Sequence, residues 1–331
     1  MSRPRVALIA DPTSPERCSE YLADAIGLLT GEEPVRVDSR HFAAGGPGRG
    51  IRDGHRLRLQ VPNEGVDFTP DIVVLYEIPP HRRHELAAFQ RLLERHDVVT
   101  LGTGTAAWRV ATEKDLTVER FRRDGVAHME TLVLSRPSPE EALAAFDKLG
   151  RDAWARPVVG TGGNDTFHVT TDAALHEAAA FYADRGTDWL LSRDAGNLTP
   201  DGQRHQFRVF VLGGRVIHAR EHLQPALDTP CNTCQGATPV PIAPADLPAR
   251  LTELAVAATA SVGLPFAGVD LAIENGGVVF EVNVQPAFVD GELDTVAVPY
   301  IRAHLDALTR SRGGHPAPAP HHRSPRAAAG T

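Results

Sequence analysis

The chain has 331 residues, of which 42% are hydrophobic and 23% charged, and its formal net charge is −8. This composition is typical of a globular protein with two or three compact units, and its acidic balance argues against a general nucleic-acid surface. No apolar run approaches the ~20 residues of a membrane span. Three cysteines do not make a disulfide framework, and the N-terminal residues lack a signal-peptide pattern, so we expect a cytoplasmic protein.

The first hundred residues alternate between predicted strands and helices. Apolar runs predict strands at residues 5–11, 35–38, 71–76 and 98–100. Amphipathic patterns predict helices through residues 21–29 and 84–95. A Gly/Arg-rich segment at residues 43–54 is predicted as a loop. This alternation favours an α/β domain over residues 1–102.

A second unit is predicted at residues 103–188. Thr112 stands where a helix N-cap is expected, with Asp115 three residues later, and this helix should end near Gly125. The elements that follow are predicted as strand, helix, strand, strand and helix, at residues 131–134, 139–149, 154–159, 167–169 and 172–185. We expect an α+β subdomain.

A third unit is predicted at residues 189–310. Its elements are a strand, two hairpin strands and two helices, at residues 189–191, 206–211, 215–221, 245–262 and 296–308. The hairpin should turn at Gly213 and Gly214. Residues 311–331 are rich in Pro, Ala, His and Gly without periodicity, and are predicted to form a disordered tail.

Two arginines flank the turn of this hairpin. With a two-residue loop, Phe207 lies opposite Arg220 and Val209 opposite His218. Arg208 and Arg220 are therefore expected on opposite faces of the sheet. Each arginine then either meets a ligand from its own edge or makes a surface ion pair.

The most informative segment is residues 268–283, which predicts a second hairpin around an Asn-Gly pair. A two-residue loop puts Asp270 across from Glu281, and a loop one residue later puts it across from Asn283. In both registers these three residues share one face, and the apolar residues, Phe280 among them, share the core face. Opposed like charges destabilise a sheet unless a cation lies between them, and oxygen ligands suit Mg²⁺ or Mn²⁺. The alternative is a solvated face with acidic residues by chance.

Lysine is rare in this chain, and only Lys114 and Lys148 occur. A Gly-rich segment at residues 160–164 lies between two predicted strands, with Arg156 just before it. Glycine lets backbone N–H groups close over an anion, although no Walker-type Gly-Lys-Ser/Thr follows. The segment is interpreted as either a phosphate lid or a plain β-turn.

Cys231 and Cys234 form a Cys-x-x-Cys pair in a Pro-rich loop. Zinc needs four ligands, and a thioredoxin-like motif opens a helix after a strand. The sequence offers neither context, so we expect no metal or redox role for these cysteines.

Residues 100–310 resemble the ATP-grasp ligases, specifically their RimK-type branch. The FRVFVLGGRVIHAR hairpin at 207–220 is similar to the IRVFVVGG hairpin of that branch, and AGVDL at 267–271 with EVNVQP at 281–286 is similar to its final motif. The branch contains glutamate ligases, small-peptide ligases and graspetide synthetases. The resemblance implies an ATP-grasp fold of α/β (α+β) class, in which an N-terminal α/β domain precedes two α+β subdomains that sandwich ATP.

The resemblance also implies roles for individual residues. Asp270, Glu281 and Asn283 match the magnesium ligands. Arg208 and Arg220 are catalytic candidates that stabilise the phosphoryl oxygens and the oxyanion. The implied cofactors are ATP and one or two Mg²⁺ (or Mn²⁺) ions. The nucleotide-binding candidates are Lys114, Arg156, Gly160, Thr161, Gly162, Gly163, Leu191, Ser192, Asp194, Arg208 and Asn232.

Three residues depart from the family pattern. Arg156 stands where the family has a second phosphate-binding lysine, Gln206 replaces an aspartate, and Gln285 replaces a serine in a turn. Arginine still binds phosphate well. The changes leave open a non-catalytic ATP-binding module as an alternative to an enzyme.

The activity that the resemblance implies is ATP-dependent joining of a carboxylate to an amine through an acyl phosphate. We favour a small amino-acid or dipeptide ligase of specialised metabolism, such as a γ-glutamyl ligase in antibiotic biosynthesis. A RimK-like or graspetide-type ligase that acts on a ribosomal peptide or protein is the alternative. The expected partners are small amino-acid or peptide substrates, without nucleic acid or membrane, and a homo-oligomer stays open.

Overall fold

A computed structural model describes residues 3–96, 98–102 and 104–313. Within these residues the backbone forms eight α-helices and fifteen strands, which are distributed over four sheets. None of these helices combines the length and the apolar character that a bilayer crossing requires.

The N-terminal region contains a parallel and an antiparallel sheet. Its elements are β1 (Val6–Ala10), α1 (Cys18–Thr30), β2 (Val35–Asp38), β3 (Arg49–Asp53), β4 (Arg56–Val61), β5 (Val66–Phe68), β6 (Ile72–Leu75) and α2 (Ala87–Glu94). Strands β2, β1 and β6 pair in parallel in that order, as the alternation of strands and helices predicts. The strand predicted at 98–100 is reduced to one bridge between Val99 and Ile72.

The loop predicted at residues 43–54 is wrong in part, because its second half forms β3 and pairs with β4. Leu57 and Leu59 are buried, while Arg56 and Arg58, which alternate with them, are exposed. This period of two is typical of a half-buried strand, and β5 completes the small antiparallel sheet.

The central region carries a four-stranded antiparallel sheet in the order β7-β10-β8-β9. Its elements are α3 (Thr105–Thr112), α4 (Lys114–Asp124), β7 (Thr131–Leu134), α5 (Pro139–Lys148), β8 (Ala153–Pro157), β9 (Phe167–Val169), α6 (Asp172–Arg185) and β10 (Trp189–Arg193). Helices α5 and α6 pack on this sheet through a hydrophobic cluster that includes Phe146, Leu175 and Trp189.

The N-cap predicted at Thr112 is wrong. Thr112 is the last residue of α3, a helix that the sequence did not suggest, and α4 begins at Lys114 without a side-chain cap. The Thr112 hydroxyl instead accepts a hydrogen bond from Arg83 at 3.0 Å. The predicted stop is confirmed, since Gly125 ends α4 with a φ of 70°.

The C-terminal region carries a five-stranded antiparallel sheet in the order β13-β12-β11-β14-β15. Its elements are β11 (Arg204–Leu212), β12 (Arg215–Gln224), β13 (Thr238–Ile242), α7 (Ala249–Val262), β14 (Phe266–Ala272), β15 (Val278–Asn283) and α8 (Val298–Arg312). Helix α8 includes the first residues of the predicted disordered tail. From residue 314 onward that tail lies outside the described residues.

The hydrophobic core joins the two ends of the chain. Ile9 and Leu59 belong to the same buried cluster as Val209 and Val269 of the C-terminal sheet. The central sheet has its own cluster. The central sheet therefore packs separately from the shared core of the N-terminal and C-terminal regions.

Candidate nucleotide and metal site

The acidic hairpin has the predicted pairing but a different turn. Asp270 pairs with Glu281, and Gly268 pairs with Asn283. The expected two-residue loop is wrong, because residues 273–277 lie between the paired ends Ala272 and Val278. A bulge after Asp270 absorbs the difference, so that the two carboxylates still face one another across β14 and β15.

The predicted position of Phe280 is wrong because of the same bulge. This side chain was expected on the core face, but it lies half-buried in the lining of a cleft beside Glu281. It packs with Met129, Ala195 and Val278. An apolar surface therefore lies next to the acidic face.

Two cations hold the carboxylates. The Arg208 guanidinium donates from Nε and Nη2 to the two Asp270 oxygens, each at 2.7 Å. Lys114 Nζ lies 3.2 Å from Glu281 Oε1 and donates to the Gly160 carbonyl at 3.2 Å. Asn283 Nδ2 donates to Asp270 Oδ2 at 3.0 Å. These contacts bring residues from α4, β11, β14 and β15 to one point.

A third, half-buried cation adds to the positive charge. Arg156 on β8 donates to the Phe280 carbonyl at 3.1 Å, and its Nε is buried with no hydrogen-bond partner among the described residues. Three cations thus face the two carboxylates Asp270 and Glu281. A buried N–H without a partner and an excess of positive charge suit an anion.

Burial and charge act against each other at these cations. Burial lowers the pKa of Lys114, Glu281 opposes this shift, and Arg156 adds to it. Burial likewise lowers the pKa of Arg156. At Arg208 burial favours the neutral form, but attraction to Asp270 outweighs it and raises the pKa. The pair of Arg208 with Asp270 is the firmest ionic contact of the site.

The cleft encloses about 920 Å³, including its part open to solvent. Most of the sequence-predicted residues line it, namely Lys114, Arg156, Gly160, Thr161, Gly162, Gly163, Ser192, Arg208, Asn232, Asp270, Glu281 and Asn283. Leu191, Asp194 and Arg220 are not among the lining residues. Leu191 is fully buried in the core of the central sheet.

Asp194 supports the cleft from behind. Its carboxylate accepts hydrogen bonds from Trp154 Nε1 at 2.6 Å and from Arg204 Nη1 at 2.7 Å. Burial raises its pKa, but those two donors and the nearby positive charge of Arg204 outweigh burial, so that the pKa is lowered overall. Asp194 therefore orients two residues that do line the cleft.

The expectation that Arg208 and Arg220 lie on opposite faces is wrong. A bulge between Phe210 and Val211 shifts the register, so that Arg208 pairs directly with Arg220. Arg220 is 1% exposed and pairs with Glu292, and its Nη2 donates to the Ala287 carbonyl at 3.0 Å. It is the cross-strand neighbour of Arg208 and does not line the cleft.

Sequence reasoning missed several lining residues. Met129, Trp154, Arg204 and Phe280 reach the cleft from separate segments. The bulge that turns Phe280 into the cleft has no signature in the sequence. The guanidinium carbon of Arg204 lies 4.9 Å from the centre of the Trp154 ring, although the two residues are fifty positions apart in the sequence. Gln206, noted as a departure from the family pattern, also lines the cleft.

The magnesium ligands that the resemblance implies fit this geometry. Two carboxylates and an amide occupy adjacent paired strands, and oxygen donors of this kind suit Mg²⁺. Asp270 pairs with Arg208, and Glu281 pairs with Lys114. Both cations are in reach of the cleft, where they can bind a phosphate when a metal ion takes the carboxylates. The donor set and its cationic surroundings are consistent with a metal–phosphate site.

Comparison with known proteins finds similarity in the C-terminal region and over about half of the chain. Residues 198–296 match a RimK-like ATP-grasp domain. The tetrahydromethanopterin:alpha-L-glutamate ligase of Methanococcus maripaludis is 26% identical over 164 residues, which span 49% of this chain and 53% of that enzyme. The match thus covers about half the length of this relative.

Solved structures share the fold over nearly the whole chain. D-cycloserine synthetase DcsG has a TM-score of 0.66 at 18% identity, covering 92% of this chain and 99% of that one. ATP-grasp ligase PsnB, complexed with a phosphomimetic variant of its minimal precursor, Mg and ADP, has a TM-score of 0.64 at 17% identity, covering 93% and 100%. The chain therefore has the fold of these ATP-grasp ligases, and its residues 198–296 are similar to a RimK-like ATP-grasp domain.

Proposed function

We propose that this protein is an ATP-dependent ligase that joins a carboxylate to an amine through an acyl phosphate. One observation carries the proposal: Lys114, Arg156 and Arg208 converge on the Asp270–Glu281 pair in a cleft bordered by a Gly-rich loop. A triphosphate with a divalent cation complements this arrangement of charges. The glutamate ligase relative and the fold of PsnB and DcsG support the same activity.

Asp270, Glu281 and Asn283 would hold the metal, which we propose to be one or two Mg²⁺ or Mn²⁺ ions. When bound, the metal neutralises charge on the β- and γ-phosphates. Lys114 and Arg156 bind phosphate oxygens, and the loop at residues 160–163 covers them with backbone N–H groups. Ser192, which lines the cleft, is proposed to border the adenine, with Leu191 and Asp194 contributing through the backbone of the same strand, and Asn232 is proposed to lie near the γ-phosphate.

In the first chemical step a carboxylate oxygen of the substrate attacks the γ-phosphorus, and ADP leaves. In the second step the amine attacks the acyl carbon, phosphate leaves, and the amine loses a proton. Arg208 is placed to stabilise the transferred phosphoryl group. Arg220, one strand further, is proposed to support the oxyanion through Arg208. Acyl phosphates hydrolyse, so the reaction needs the Gly-rich loop to cover the intermediate and exclude water.

We propose small amino acids or dipeptides as the substrates, in a cytoplasmic pathway of specialised metabolism. The glutamate ligase relative favours γ-glutamyl chemistry. A ribosomal peptide is the second candidate substrate, because PsnB, which has been solved with a precursor peptide, is similar in fold over 93% of this chain. Competition between precursor peptides and free amino acids as acceptors would separate these two proposals.

The test is incubation with ATP, Mg²⁺ and pairs of amino acids, with mass spectrometry of the products and assay of ADP. A ligase yields one amide and one phosphate for each ADP. ATP binding without turnover, in every carboxylate–amine pair and with peptide acceptors, would instead support the non-catalytic module. The matched control is the double variant D270N/E281Q, which keeps side-chain size and removes both charges.

A further inference from the structure

The Gly-rich loop is held from outside by the connection between β12 and β13. Gln235 Nε2 donates to the Gly162 carbonyl at 3.2 Å and to Asn164 Oδ1 at 3.1 Å. Cys234 Sγ donates to the same Gly162 carbonyl at 3.0 Å. Two side chains of the C-terminal region thus bind one peptide group of the central region, at the edge of the cleft.

Steric contact between the same segments is equally close. A Cβ atom at Gly162 would lie 2.7 Å from Cys234 Sγ, and one at Gly163 would lie 2.7 Å from Pro230 Cβ. Both glycines also have positive φ, at 66° and 75°. Glycine is therefore required here by the contact between the two segments as well as by the backbone conformation.

The holding segment is itself anchored. Gln224 Nε2 donates to the Gln235 carbonyl at 2.9 Å, and Gln235 N donates to the Asn232 carbonyl at 2.9 Å. Cys231 is buried, and its Sγ donates to the His222 carbonyl at 3.2 Å. Burial raises the pKa of Cys231 to about 12, so the thiol stays protonated and can donate. Gln235 is thus presented from a fixed position.

These contacts divide the Cys-x-x-Cys pair into two structural roles. Cys231 is a buried anchor, whereas Cys234 is exposed and touches the Gly-rich loop. Partial desolvation of its sulfur raises the pKa of Cys234, which keeps it a neutral S–H donor toward a carbonyl oxygen. The two thiols therefore act at different places.

We propose that Cys234 and Gln235 form a latch that holds the Gly-rich loop closed over the bound phosphates, with Gln235 as the principal positioning residue. The part of this inference that concerns phosphates rests on the proposed function. The contacts of Cys234 and Gln235 with the loop are made by the chain itself and do not depend on that function. An open latch exposes the acyl phosphate to water, so that ATP is consumed without amide formation.

The test compares Q235M, which keeps the length of the side chain without a donor, with Q203M as the matched control. Gln203 is also half-buried and donates from Nε2 to a side chain, Asp201, at 2.8 Å, but outside the cleft lining. C234A removes a donor, and C234S keeps one. Hydrogen exchange of residues 160–166 is measured in the ligand-free protein, followed by KM for ATP and the ratio of phosphate to amide.

Loss of the two neutral hydrogen bonds from Gln235 to the loop predicts ~5- to 100-fold faster exchange in Q235M. Q203M should match the wild type, and C234S should lie closer to it than C234A does. KM for ATP should rise by a similar factor in Q235M, and phosphate should exceed amide.

Unchanged exchange in Q235M would overturn the latch, whatever the activity. Faster exchange with unchanged KM and unchanged coupling would overturn its role over the phosphates. Faster exchange in a protein that turns over no ATP would support the latch and count against the proposed function instead.

Discussion

Arg208 lies directly opposite Asp270 in the register of β11 and β14, and its guanidinium binds both carboxylate oxygens at 2.7 Å. The side chains are 12% and 6% exposed, so this is a buried ion pair. Removing one member of a buried pair leaves the other charge without compensation.

We therefore predict that Arg208→Ala lowers the free energy of unfolding by about 3 kcal/mol. Urea unfolding followed by circular dichroism measures this change. Arg58→Ala is the matched control, because its bidentate pair with Asp67 lies at the surface and should contribute little. Equal effects of the two substitutions would show that the Arg208 pair is not a buried one in solution.

Arg156 allows a test of charge against residue type. Arg156→Lys keeps a cation at this half-buried position, so KM for ATP should stay within about threefold of the wild type. Arg156→Met removes the charge and should raise KM for ATP by about tenfold or more. Steady-state kinetics with ATP as the varied substrate measures both. If the Arg156→Met variant has the same KM for ATP as the Arg156→Lys variant, Arg156 does not contact the phosphates.

Lys114 should make ATP binding depend on pH. Burial lowers the pKa of Lys114, so the ammonium loses its proton at lower pH than an exposed lysine would. KM for ATP is therefore expected to rise as the pH increases through this lowered pKa. Lys114→Arg stays charged and should lack this rise. Identical pH profiles for the two proteins would remove Lys114 from the phosphate site.

His304 should make stability depend on pH. It is fully buried in α8, and burial lowers its pKa to about 4 from 6.5. Between those values the unfolded chain binds a proton that the folded chain does not, so the free energy of unfolding falls as the pH falls from about 6.5 to about 4. The full loss is about 3 kcal/mol. Denaturant unfolding at several pH values measures it, and His304→Gln should flatten this dependence.

Strand pairing shows how far the sequence predicts this site. Period-two alternation is enough to put Asp270, Glu281 and Asn283 on one face, since that property survives a change of loop length. The relation of Arg208 to Arg220 depends on the exact register, and one bulge at Phe210 reverses it. Bulges arise from tertiary packing and leave no local pattern, so the face of Phe280 escaped prediction for the same reason.

Helix boundaries show the same division. Gly125 was predicted correctly as a helix end. A helix often ends at a residue with positive φ, and glycine adopts that conformation most easily, so the signal is local in the sequence. Thr112 was assigned to the wrong helix, because α3 is short and is stabilised by burial of Trp108 rather than by a cap. The cleft residues Trp154 and Arg204 depend on the meeting of two sheets, which single-sequence patterns do not report.

The most direct test of the metal–triphosphate site is ADP release with ATP, Mg²⁺ and amino-acid substrates, by the wild type and by D270N/E281Q. We predict turnover by the wild type that is lost on chelation of Mg²⁺, and no turnover by the folded double variant. Circular dichroism establishes that the variant is folded. Retained turnover in D270N/E281Q would contradict the assignment of these residues to the metal and the triphosphate.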